Sequence, residues 1–112
     1  GKPNHIELTA ARARLKADGK DLSFINVRVV DKNGNLCPDA THKVKFNVRG
    51  SGSYRAAANG DPSSLESFQA PQMSLFKGQL TAVVQTKETP GVIVFEASAS
   101  GVKSAKIELI SE

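Results

Sequence analysis

The chain has one cysteine, Cys37, no tryptophan and a single tyrosine, Tyr54. One thiol excludes an intrachain disulfide and any zinc site built on several thiolates. Aromatics make up 5% of the residues, so few rings are on hand for stacking against sugars or unpaired bases. No apolar run reaches the roughly 18 residues that a membrane-spanning helix needs, and membrane insertion is not expected. No signal-peptide pattern is present. The opening Gly1-Lys2-Pro3 without Met reads as a trimmed start, which leaves the native destination open.

What is present describes one folded unit. The 112 residues fit a single domain, with 39% hydrophobic and 23% charged residues. Residues 1–4 read as linker and 5–112 as the domain. A net charge of +4 raises the question of nucleic acid. The charges alternate in sign along much of the chain, however, and that balance is ordinary for a small soluble domain.

The dominant period is two. Lys43-Val44-Lys45-Phe46-Asn47-Val48-Arg49 alternates polar and apolar without a break, as a half-buried antiparallel strand requires. Val44, Phe46 and Val48 are expected to face the core. In residues 22–31, Ile25, Val27 and Val29 share one face, and Phe24, Asn26, Arg28 and Val30 the other. Ile93, Phe95, Ala97 and Ala99 form an inward set, as do Ala105, Ile107 and Leu109, while Ile6 and Leu8 alternate with polar neighbours near the start. Further strands are read at residues 54–57 and 78–86. Turn pairs such as Asp18-Gly19, Asn33-Gly34, Asn59-Gly60 and Pro90-Gly91 separate these runs. About seven short strands at this spacing predict an all-β fold, an antiparallel sandwich.

Residues 59–77 break the rhythm. Long loops of this kind are usually functional or packed by their own side chains, and Leu65, Phe68, Met73, Leu75 and Phe76 supply such packing. Asp61 followed by Pro62 predicts one short helical turn, with Asp as N-cap and Pro at the first helical position.

The search for chemistry returns plain readings. Cys37 and His42 are the nearest pair of metal-ligand types, with His5 remote in sequence. Without a repeated spacing, Cys37 reads as a small buried residue and His42 as a loop residue. No serine sits in a Gly-x-Ser-x-Gly elbow. Asp61 and Glu66 are two carboxylates in one loop, as glycosidase chemistry uses, but capping a helical turn accounts for both. Arg12, Arg14, Lys16 and Lys20, then Lys43, Lys45, Arg49 and Arg55, form two basic groups with only Tyr54 nearby for stacking. Outward lysines on a strand serve to keep sheet edges apart. No residue is assigned a catalytic, cofactor-binding or metal-ligating role, and no nucleic-acid partner is expected. The feature left over is apolar residues on outward positions: Val30, Val83, Val92, Val94 and Ile110. A contiguous patch of them would mark an interface with another domain.

The stretch from Leu15-Lys16-Ala17-Asp18-Gly19 through Val27-Arg28-Val29-Val30-Asp31-Lys32-Asn33-Gly34, ending in Pro38, resembles invasin-type bacterial Ig-like domains. More narrowly, Asn59-Gly60-Asp61-Pro62, then Leu65-Glu66-Ser67-Phe68, then Phe76-Lys77-Gly78, resembles the C-terminal Ig-like domain of glycoside hydrolase family 2 enzymes, chiefly β-galactosidases. The resemblance implies an Ig-like sandwich and a role as a non-catalytic accessory domain. The catalytic glutamates of that family sit in a (β/α)₈ barrel, which needs roughly 250 residues. It implies contacts with other domains of a parent glycosidase through Asn59, Gly60, Asp61, Pro62, Leu65, Glu66, Phe68 and Phe76, and a periplasmic or secreted setting. Two other classes fit such a sandwich: a carbohydrate-binding module, against which the scarcity of aromatics counts, and an adhesion-type Ig-like domain.

Overall fold

A computed structural model describes residues 1–61 and 70–112. Nine strands are found among the described residues: β1 (His5–Ala10), β2 (Arg14–Leu15), β3 (Leu22–Val30), β4 (Lys43–Gly50), β5 (Gly52–Ala58), β6 (Gln72–Ser74), β7 (Gln79–Thr86), β8 (Gly91–Ser98) and β9 (Ala105–Ser111). They form two sheets. One has four strands in the order β1-β3-β7-β5, the other five in the order β2-β9-β8-β4-β6. Neighbours run antiparallel except β2, which lies parallel to β9.

Alternation in the sequence accounts for the layering. Ile25, Val27 and Val29 of β3 face Val44 and Phe46 of β4, Ile93 and Phe95 of β8, and Leu109 of β9 within one buried core. Val48, Ala99, Ala105 and Ile107 complete the expected inward sets as partly buried residues packed against it. Phe46 stands at the centre of a small ring cluster, with Phe95 and Tyr54 each 5.7 Å away between centroids. Such offset stacks add to the area they bury.

Nine strands replace the expected seven because β2 and β6 are too short to show a period of their own. The three residues of β6 exist because β4 offers a partner: Lys43, Val44 and Lys45 pair with Ser74, Met73 and Gln72. The expected helical turn, with Pro62, Leu65, Glu66 and Phe68, lies outside the described residues.

One tight turn is held from both sides. Lys77 and Gly78 both have left-handed φ, +54° and +82°, the combination of a two-residue hairpin turn. Phe76 and Gln79 close it, each N–H donating to the other's carbonyl. The Gly78 carbonyl accepts from the Val29 N–H at 3.0 Å, and a Cβ on Gly78 would strike the Cys37 carbonyl oxygen. Glycine is therefore required here both by φ and by the closeness of another backbone.

Candidate functional site

The loop after β5 begins as a pinned structure. The Asn59 side chain donates to the Ser74 carbonyl at 2.8 Å, and its Oδ1 accepts from the Asp61 N–H at 2.9 Å. Gly60 supplies the left-handed φ of +79° between them. The Asn-Gly-Asp motif thus fastens the loop entrance to β6, a structural task that asparagine meets with one donor and one acceptor. Phe76 is half-buried just beyond β6, with Lys77 Nζ 5.5 Å from its ring centroid. The sequence pattern thus spans two fixed points, one on each side of β6. Pro62, Leu65, Glu66 and Phe68 fall outside the described residues, so the carboxylate pair of Asp61 and Glu66 has no described geometry.

The five outward apolar residues do not share one surface. Val30 is fully buried, 0% exposed, contrary to the outward reading. It keeps the outer-face alternation, but it lies at the end of β3, flanked by His5 of β1 on one side and bridged to Leu36 on the other. The turn at residues 31–35 brings Leu36 back there, with the Asp31 Oδ1 accepting from the N–H groups of Asn33 and Asn35. Those bonds, that of Asn35 foremost, hold the Asp31 carboxyl below the usual carboxylate range against the opposing effect of burial. Val83 is half-buried on the outer face of the four-stranded sheet. Val92, Val94 and Ile110 lie on the outer face of the five-stranded sheet, where Val92 and Ile110 are cross-strand partners, 48% and 41% exposed.

Phe24, absent from the expected set, is the most exposed large apolar side chain among the described residues, at 51%. The sequence carries the signal: Phe24 alternates with Ile25 and so falls on the outer face. Its partners belong to other strands and cannot be read from its neighbours.

The remaining candidates resolve into ordinary packing and surface pairs. Cys37 is buried, its Sγ 3.6 Å from the Gly1 carbonyl oxygen. Cys37 and His42 line one surface hollow, yet no group of three His, Cys, Asp or Glu suited to a metal occurs among the described residues. Arg12 pairs with Asp21, Arg14 with Glu112 at 3.1 Å, and Arg49 lies 4.0 Å from Glu96. Tyr54 turns inward onto Phe46 and is not a free ring beside the basic residues.

A model of the glycoside hydrolase family 2 C-terminal domain 5 matches residues 6–108. Over 112 residues the chain is 41% identical to a β-galactosidase of Bacteroides ovatus, covering 100% of the chain and 13% of that enzyme. A solved family 2 glycosyl hydrolase from Bacteroides cellulosilyticus superposes with a TM-score of 0.98 at 31% identity, over 100% of this chain and 14% of that one. The D00–D0 domain of intimin gives a TM-score of 0.67 at 22% identity, over 95% of this chain and 46% of that one, a likeness of fold alone. The chain spans 11–13% of the length of the curated relatives it matches.

Proposed function

The chain belongs to the glycoside hydrolase family 2 C-terminal domain 5 family, and from that premise we propose that it is a non-catalytic accessory domain of a β-galactosidase-like enzyme, one that stabilises or positions the domains beside it. The observation that carries this reading is the match of residues 6–108 to a C-terminal domain, in a chain that covers only 13% of its β-galactosidase relative. The glycosidase chemistry belongs, in this reading, to the other parts of the parent polypeptide.

The interior supports a structural role. Both sheets turn their inner faces to one shared core, and the loop entrance at Asn59 is tied to β6 rather than turned toward a cavity. The contacts with neighbours are assigned to the loop residues Asn59, Gly60, Asp61, Pro62, Leu65, Glu66, Phe68 and Phe76 and to the outward Val83, Val92, Val94 and Ile110. Inter-domain faces within one chain resemble modest, partly polar interfaces, and these residues have that mixed character.

Removal of the domain from the parent enzyme tests the reading. The truncated enzyme is expected to melt at a lower temperature or to lose soluble yield. Unchanged melting and yield would contradict it.

A further inference from the structure

The outer face of the four-stranded sheet carries an apolar row that the fold does not use. The strand registers place Phe24 opposite Val83, and Val83 opposite Ala56. In the next row stand Asn26, Thr81 and Ala58. Phe24, Ala56, Ala58, Thr81 and Val83 line one shallow hollow with no charged side chain in its wall. Rows carrying polar or charged groups bound it, one of them with Leu22 at its β3 end. On one side Gln85 pairs with Leu22 and Ser53; on the other Arg28 pairs with Gln79 and Glu7, its Nε 3.5 Å from the Glu7 carboxylate. An apolar centre inside a polar rim is the layout of a protein interface.

A β-bulge assembles this row. Along β5 the pairing runs Ser53 with Gln85 and Tyr54 with Val84, then skips one residue, so that Ala56 pairs with Val83. Without the extra residue Arg55 would stand opposite Val83. The bulge therefore gives Ala56 the paired position opposite Val83, with the exposed Arg55 beside it on the edge strand, and it sets the inward phase so that Ala57 is buried. Bulges re-aim side chains in this way.

We propose that the Phe24–Val83–Ala56 stripe is the docking surface for a neighbouring domain of the same polypeptide, which meets it with an uncharged apolar face. The inference rests on the reading of this chain as one domain of a longer enzyme. Size selects the occupant. Three strands at about 4.8 Å spacing and two residue rows give a patch of roughly 200 Å², whereas free association takes about 800 Å² from each partner. A second copy of the chain would not be held by so small a surface. A tethered neighbour would, because the linker supplies an effective concentration in the millimolar range. With 13% of the relative's length covered here, the parent polypeptide has ample chain to provide that neighbour.

Hydroxyl-radical footprinting read by mass spectrometry tests this, on the 112-residue chain and on the longer polypeptide. Labelling of Phe24 is expected to fall several-fold in the longer polypeptide. In parallel, Val83→Glu is expected to lower the melting temperature of the longer polypeptide and to leave that of the 112-residue chain unchanged. Unchanged Phe24 labelling together with protection at Val92 or Ile110 would overturn the stripe as docking surface and leave the accessory-domain reading standing. Unchanged labelling at every position would overturn both. A dimer of the isolated chain in sedimentation that Val83→Glu abolishes would overturn the proposal in favour of a second copy.

Discussion

Along the five-stranded sheet, the outward positions read Lys43, Lys45, Asn47 and Arg49 on β4, Val92, Val94, Glu96 and Ser98 on β8, and Lys106, Glu108 and Ile110 on β9. Opposite charges meet across the strands, as where Glu96 pairs with Lys106 and lies 4.0 Å from Arg49. Only at one end do Val92 and Ile110 put apolar groups side by side. The four-stranded sheet is arranged differently. Its charged pair, Glu7 and Arg28, is confined to one row, and in the next two rows charge is met only at the edge strand, at the bulged Arg55. A sandwich asks each strand for one apolar face. The five-stranded sheet meets that demand and solvates the rest, while the four-stranded sheet carries a second apolar surface that its own core leaves unused.

The comparison is sharpest between two phenylalanines, one on each side of that division. Phe95 is fully buried between the sheets and Phe24 stands outside. Phe95→Ala in the isolated chain is expected to cost about 3–5 kcal/mol in denaturant unfolding, and Phe24→Ala no more than about 0.5 kcal/mol, as for a surface position. Equal losses would show that Phe24 serves the core and would erase the contrast.

A smaller effect is expected at the turn that delivers β7 to the outer stripe. Gly78→Ala must adopt a φ of +82° and push against the Cys37 carbonyl. Its expected cost is about 1–3 kcal/mol by thermal unfolding. A neutral result would mean that the turn relaxes freely and does not fix the register of β7.

The smallest effect falls at the loop entrance. Asn59→Ala removes a donor to Ser74 and an acceptor for Asp61, at an expected cost of about 1 kcal/mol. Faster amide exchange at Asp61 and in β6 should accompany it. Unaltered exchange would show that the entrance is held by something other than Asn59.

Alternation along the chain is enough to make the two inner faces legible. Val44 and Phe46, or Ile93 and Phe95, need only their own neighbours to be placed. Val30 departs from the pattern because alternation describes a strand and not its end, where a turn can bring back Leu36 to flank an outer-face residue. β2 and β6 are hidden in the sequence for want of length, since two or three residues carry no period. The stripe is half legible. Val83 and the outward phase of Phe24 follow from local pattern, but their adjacency depends on pairing between strands more than fifty residues apart in sequence. The place of Ala56 depends on a bulge that the sequence does not announce. The Asn59-Gly60-Asp61 motif is conspicuous as a pattern, and its hydrogen bonds give it a task in fastening the loop.

The most direct measurement is the radical labelling of Phe24 in the longer polypeptide relative to the isolated chain. Labelling several-fold lower in the longer polypeptide is the result expected of a docked stripe. Equal labelling in both would contradict it and return the outer stripe to the solvent.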